Sequence, residues 1–295
     1  MAVFGAAALL GRLDAADLQP NPRLTRRIPS SGEELPVVGL GSWITFNVGD
    51  DPAARDECAE VMRRFFGMGG RLIDSSPMYG SSQAVIGHGL ANLDRRGKVF
   101  AADKVWTSGR DGAAQIAETR RRWGVPRLDL LQVHNLENWE EHLPLLFAMK
   151  AAGTVRYVGV TTSHGRRAAD TERLLRTQPL DFVQVTYNLL DRELDRRLLP
   201  LAQERGIAVI ANRPFRQGEL LRGLARHPLP PWAGEVHCSS WAQFLLKFIV
   251  SHPAVTCAIP ATGNPDHVID NMAAAYGRLP DEPMLQRMIR YVESL

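Results

Sequence analysis

Four residues of this chain are of the types that together protonate a carbonyl oxygen: Asp74, Tyr79, Lys104 and His134. The first two lie in Leu72-Ile73-Asp74-Ser75-Ser76-Pro77-Met78-Tyr79-Gly80, and the other two close apolar runs thirty residues apart. A tyrosine hydroxyl titrates near pH 10, about three units too high for a good donor at neutral pH, and a neighbouring ammonium lowers that value. A carboxylate can hold the ammonium in place. With a histidine to hydrogen-bond the substrate oxygen, the set can protonate a carbonyl while a hydride arrives from elsewhere.

The lysine is informative because the chain hardly uses lysine. Only Lys98, Lys104, Lys150 and Lys247 occur among 35 basic residues, so a generic cation at position 104 would be expected to be arginine. Lysine is a compact charge whose pKa answers to burial, which suits a proton relay better than a fixed guanidinium. The competing readings are a salt bridge at a strand end, a Schiff-base lyase or aldolase with Lys104 as nucleophile, and a cofactor-sensing interaction protein that does not turn over. A carboxylate beside the lysine opposes the second, because it keeps the amine protonated.

Composition narrows the partners. The chain has 295 residues, 45% hydrophobic and 23% charged, with a net charge of +3, which suits one large globular domain. Arginine pairs such as Arg95-Arg96 and Arg196-Arg197 read as solvated helix faces, and no basic stripe interleaves with aromatics, so nucleic acid is not expected. Cys58, Cys238 and Cys257 have neither metal-ligand spacing nor an even count, so reduced thiols and no metal site are expected. Met1 to Leu10 is apolar but too short to span a bilayer, and no basic segment precedes it. Residues 1–22 therefore read as an extension of a cytoplasmic protein, with a truncated export leader as the alternative.

From residue 23 onward, strand-like runs begin near Val37, Leu72, Val99, Leu128, Val155, Phe182, Ile207 and Val255. Helical patterns alternate with them: Pro52 to Met68, Ser82 to Leu93, Ala113 to Trp123, Trp139 to Ala151, Ala168 to Arg176, Glu193 to Glu204, Trp241 to Val250 and Asp266 to Tyr276. Glycines 97, 124, 153 and 206 are placed to close helices in the left-handed conformation. Eight such units predict an α/β fold, a closed (β/α)8 TIM barrel spanning residues 23–295. Leu24 to Ile28 and Leu35 to Val38, around a glycine-containing loop, predict a β-hairpin that closes the barrel bottom. In a barrel of this kind the carboxyl ends of strands two, three and four bring the four chemical residues to one mouth. No Gly-x-Gly-x-x-Gly stands between a strand and a helix, so a Rossmann dinucleotide site is not expected.

From Arg27 to its end the chain resembles the aldo-keto reductase family. Ile28-Pro29 through Gly39-Leu40-Gly41-Ser42-Trp43 is similar to the family's opening hairpin and first strand, and Asp74, Tyr79-Gly80, Lys104 and His134 match its catalytic tetrad. Gln184 with Tyr187-Asn188 is similar to the sixth-strand motif, and Ile259-Pro260 with Asn271 to the eighth-strand cofactor motif. The resemblance implies NAD(P)H-dependent reduction of aldehydes or ketones without metal, on a small-molecule substrate, by a monomer or weak oligomer. Tyr79 would be the acid, Lys104 its pKa-lowering partner, Asp74 the orienter of Lys104, and His134 the carbonyl's positioner.

The same resemblance implies a cofactor path across the barrel mouth. It runs over Gly41, Ser42, Trp43 and Asp74, then Thr161, Thr162 and Gln184 at the carboxamide. It continues through Asn212, Arg213, Pro214, Phe215 and Gly218 after the seventh strand, and ends on Ile259, Ala261, Thr262, Asn264, His267, Asp270 and Asn271. Three departures stand out. Thr161-Thr162 replaces the family's Ser-Asn, no aromatic follows the seventh strand directly, leaving Arg213 or Phe215 to take over stacking, and Ala261 and Gly263 replace the usual cation for a 2′-phosphate. NADPH is the expected cofactor, with NADH as the second candidate and weak discrimination between them. Trp43, Phe46, Met78 and Trp106, with His134, are the expected substrate pocket, which suits aryl or alkyl carbonyls.

Overall fold

The computed structural model describes residues 22–295, so all but the last residue of the N-terminal extension lies outside the described residues. Two short strands, β1 (Thr25–Arg27) and β2 (Glu34–Pro36), pair antiparallel with Arg26 opposite Leu35. Eight strands follow: β3 (Leu40–Gly41), β4 (Leu72–Asp74), β5 (Phe100–Val105), β6 (Leu128–Val133), β7 (Val155–Thr161), β8 (Phe182–Thr186), β9 (Ala208–Asn212) and β10 (Val255–Ala258). Each pairs parallel with the next. Bridges from Val38 to Ala258 and from Gly41 to Ala261 join the first to the last and close the barrel. The expected strands are all present.

The helices outside the barrel are α1 (Pro52–Gly67), α2 (Ser82–Asn92), α3 (Gly112–Trp123), α4 (Trp139–Ala151), α5 (Ala168–Thr177), α6 (Leu198–Glu204), α7 (Glu219–Leu224), α8 (Trp241–Ser251), α9 (Pro265–Ala273) and α10 (Glu282–Glu293). Neither α7 nor α10 was anticipated by the eight-unit alternation. Two expectations fail locally. The single helix over 193–204 is a 3-10 turn (Glu193–Arg196) and α6, separated by Arg197 at φ −137°, outside the helical range. Gly97 does not close α2; Asp94, at φ 51°, makes the left-handed reversal instead, as a short polar side chain can. Among the described residues no helix is long and apolar enough to cross a membrane.

Strand periodicity sorts side chains inward and outward, and along each strand the inward ones change character with height. On β5 the inward series is Phe100, Ala102, Lys104; on β6 it is Leu130, Gln132, His134; on β8 it is Phe182, Gln184, Thr186. The lower members form one buried apolar cluster with Tyr157, Ile210 and Cys257, and it includes Ile28 and Leu35 from the hairpin. The hairpin therefore plugs the lower end. The upper members are polar, and they meet in the mouth. Outward residues such as Ala101, Val105, Leu131 and Val133 pack against the helices in a separate, larger cluster.

Candidate active site

Asp74 ends β4 and points up into the barrel mouth, where its carboxylate is fully engaged. Oδ2 accepts from Lys104 Nζ at 2.6 Å, and Oδ1 accepts from Gln184 Nε2 at 2.8 Å and Gln132 Nε2 at 3.3 Å. Lys104 also donates to the Ser75 carbonyl at 2.7 Å and is completely buried. Gly159 makes the crowding feasible. A Cβ there would stand 2.7 Å from the Phe182 carbonyl and 3.2 Å from Gln132 Cγ.

Tyr79 comes from the short helical turn Pro77–Tyr79 that follows β4. Ser76 caps this turn, its Oγ accepting from the Met78 amide at 3.2 Å, and Pro77 fits the first position because it has no amide hydrogen to satisfy. Gly80 then leaves at φ 61°, against Asn47, where a Cβ would lie 2.2 Å from the amide oxygen. The turn lays the tyrosine ring beside Lys104, with Nζ 5.1 Å from the ring centroid. His134, directly after β6, meets the same ring edge-on, at 5.7 Å between centroids and 86° between planes. The four residues predicted to converge do so.

Their protonation follows from burial and charge. Burial works against the Lys104 ammonium, but Asp74 outweighs it, with help from Tyr79, and the lysine is held above its ordinary value. A Schiff-base role would require the neutral amine, so this pairing opposes it. Burial, followed by the Lys104 charge, drives His134 down to about 2, which leaves a neutral imidazole. Tyr79 differs from expectation. Burial raises its hydroxyl above the ordinary value, and Lys104 pulls it back without reversing the shift. The ammonium works in the predicted direction, but removing a phenolate from water costs more than the charge returns.

The chain matches the Aldo/keto reductase family model over residues 37–286. It is 32% identical over 257 residues to methylglyoxal reductase YeaE of Escherichia coli K12, covering 84% of this chain and 88% of the relative. An NADH-specific methylglyoxal reductase of the same organism is 25% identical, over 70% of this chain and 72% of its own. A Klebsiella pneumoniae aldo/keto reductase, solved with NADP and acetate, superposes with a TM-score of 0.76 at 26% identity, covering 92% and 96% of the two chains. The chain belongs to the aldo-keto reductase family. Its reaction class is NAD(P)H-dependent reduction of a carbonyl group.

Within this aldo-keto reductase, the residues expected at the cofactor differ in how far the fold engages their side chains. Thr161 Oγ1 accepts from the Asn135 amide at 3.1 Å, so its O–H remains free to donate. Gln184 keeps its carbonyl oxygen and one N–H after bonding Asp74. Asn212 is held on both sides, accepting from Thr186 Oγ1 at 2.7 Å and donating to the Thr162 carbonyl at 3.0 Å. Arg213 adopts a left-handed φ of 54°, with Pro214 and Gly218 shaping the same loop. Ala261, Asn264 and His267 are exposed at the start of α9, where Asn264 caps the helix through the Asp266 amide at 2.8 Å. Thr262 Oγ1 accepts from the Asn264 amide at 3.0 Å.

Packing already engages five of the expected residues. Phe46, expected in the substrate pocket, is fully buried in the apolar core. Phe215, expected to take over stacking, likewise packs into the outer core. Ile259 fills the barrel interior rather than the mouth. Ser42 is buried, its hydroxyl within hydrogen-bond reach of the Asp74 carbonyl at 3.0 Å and Ser75 Oγ at 2.9 Å, so it ties two loops together. Asp270 accepts from Gln243 Nε2 at 2.7 Å and joins α9 to α8. Sequence reasoning also missed Ser76, whose Oγ lies 2.8 Å from His134 Nδ1, and Gln132 beneath Asp74. The inward step of two from Leu130 through Gln132 to His134 was the available signal for the latter.

Proposed function

We propose that Tyr79 donates the proton to the carbonyl oxygen, Lys104 and Asp74 set its acidity, and His134 hydrogen-bonds the same oxygen. The observation that carries this reading is the Tyr79 ring beside the Lys104 ammonium and edge-on to the neutral His134, which supports two donors of different kinds acting in one mouth. Lys104 has three N–H donors and two are engaged, so the third is assigned to the Tyr79 hydroxyl. A nicotinamide supplies the hydride when bound. Its carboxamide needs a donor and an acceptor, which the Thr161 hydroxyl and the Gln184 carbonyl oxygen offer together. Every residue in this scheme comes from one chain, so it needs no second copy.

The substrate class follows from the rim. Apart from Leu295 at the chain end, the large hydrophobic residues exposed among the described residues are Ile44 at 63%, Met78 at 46% and Trp106 at 41%. They stand on the loops after β3, β4 and β5, the same side of the mouth as Tyr79. Trp43 is half-buried beside them. Carbonyl compounds with an aryl or alkyl body fit such a rim, with Ile44 taking the place first given to Phe46. At the adenosine end, Ala261 and Gly263 supply no cation, so NADPH is favoured over NADH by less than about a hundredfold, because one charge-assisted hydrogen bond is worth roughly one to two decades.

Tyr79→Phe tests the reading directly. It keeps the ring and removes the proton, so turnover of a simple aryl aldehyde should fall by about a hundred- to ten-thousand-fold. NADPH affinity, read by quenching of tryptophan fluorescence, should stay within about twofold of wild type, since uniform binding is untouched. Wild-type turnover in this variant would remove Tyr79 as the donor.

A further inference from the structure

We propose that Ser76 is a positioning residue that fixes the tautomer of His134, directing the ring's single proton to Nε2, where it serves as a hydrogen-bond donor to the carbonyl oxygen. This rests on the reductase reading for its purpose but not for its structure.

The tautomer follows from a proton count around one buried hydroxyl. Ser76 is completely buried, and its Oγ has two neighbours at hydrogen-bond distance: the Met78 amide at 3.2 Å and His134 Nδ1 at 2.8 Å. The amide can only donate. A neutral imidazole carries a proton on one nitrogen and a lone pair on the other, and the serine hydroxyl has one proton of its own. If Nδ1 held the ring proton, Oγ would receive two donors. The serine proton would then have no acceptor among the described residues, leaving an orphaned donor in a sealed position. If the serine O–H donates to Nδ1 instead, every group is satisfied and the ring proton sits on Nε2.

The alternative tautomer would also be useless for the reaction. A bare Nε2 presents a lone pair to the carbonyl oxygen, and two lone pairs repel. His134 cannot escape the choice by taking a second proton, since burial and Lys104 keep it neutral throughout the ordinary pH range. The same serine oxygen caps the turn that carries Tyr79. One hydroxyl thus couples the position of the acid to the tautomer of the second donor, and the roles separate: Tyr79 gives up a proton, and His134 lends one.

Nitrogen-15 NMR of the full chain with labelled histidine reads the tautomer from two-bond couplings, with the His134 signals among the 8 histidines identified by their loss in His134→Gln. Wild type should show Nε2–H. Ser76→Ala should move His134 toward a mixture with Nδ1–H, and Ser76→Thr, which keeps the hydroxyl, should restore Nε2–H. In Ser76→Ala, kcat should fall about tenfold, less than the loss of a whole oxyanion donor, while the NADPH dissociation constant changes by less than about twofold. Ser76→Gly removes the same hydroxyl at a capping position that tolerates glycine, and is read alongside in case the alanine variant does not fold. Nδ1–H in wild type, or pure Nε2–H retained without the hydroxyl, would overturn the proposal. A protein with the expected tautomers that reduces no carbonyl would leave the Ser76 assignment standing and remove the reductase roles instead.

Discussion

The two ends of the barrel solve the same problem, a charged group against an apolar interior, in opposite ways. At the lower end Arg156 lies between Glu33 of the hairpin turn and Asp129 on β6, with Arg71 and the Tyr157 hydroxyl also on Glu33 at 3.0 and 2.9 Å. These side chains keep partial contact with water, and Arg156 covers the Tyr157 and Phe100 rings at 5.0 and 5.9 Å. At the upper end one lysine and one aspartate are buried completely or nearly so, with glutamines and a backbone carbonyl supplying the remaining bonds. The lower cluster fastens the plug. The upper one holds a charge out of water, a costly arrangement that stability alone would not favour over well-packed apolar side chains. Position in the barrel assigns the roles: lower end for closure, upper end for chemistry.

The largest effect expected from breaking this contrast is at Lys104. Lys104→Met should strand the Asp74 carboxylate and destabilise the fold by about 3–5 kcal/mol, as loss of one partner of a buried pair does. It should also lower activity at neutral pH and shift the pH optimum, because Tyr79 loses the charge that favours its ionised form. Lys104→Arg should not restore either, since the fork of a guanidinium does not fit a site built on one compact ammonium. Calorimetry and a pH–rate profile on each variant check both halves, and full rescue by arginine would reduce the site to a generic cation.

A middle-sized effect is expected at the lower end, where stability should change and chemistry should not. Burial opposes ionisation of Glu33, but the Tyr157 hydroxyl, Arg156 and Arg71 outweigh it, so its carboxyl lies below the ordinary 4.5. A lowered folded pKa means that its contribution is fully present above about pH 4.5 and disappears as the pH falls through the folded value. Glu33→Gln should cost about 1–2 kcal/mol at neutral pH and flatten the acid limb of a melting-temperature profile, with kcat unchanged. A large change in turnover would mean that the two ends are not independent.

The smallest effect concerns the outer rim of the mouth, at Ala261. Introducing Ala261→Lys at this exposed position should raise NADPH affinity by about tenfold and make it more salt-sensitive, leaving NADH almost unchanged. Titrations at two ionic strengths measure it. If native protein already prefers NADPH by a thousandfold, a cation from another loop must reach the phosphate.

Much of this was legible in the chain. Alternating runs of strand and helix length specify a barrel because each strand must be covered on its outer face, and residues two apart on β5 and β6 necessarily share the inner one. Asp74, Lys104 and His134 could be read as one site because whole units of that alternation separate them, with Tyr79 in the loop directly after Asp74. What the sequence could not decide is how each loop residue is covered. Trp43, Ile44 and Phe46 sit in one short segment of similar character, yet Ile44 reaches solvent with a left-handed φ of 63° and Phe46 is sealed in the core. Which one faces outward depends on tertiary packing, and no local pattern encodes that. Likewise a lysine beside a tyrosine can be inferred from topology, but the balance between its charge and the burial of the hydroxyl is set by the depth of the mouth. The residue types and their spacing therefore determined the barrel and its chemical repertoire by themselves. Burial, which belongs to the assembled molecule, decided which hydroxyls and carboxylates remain free to act.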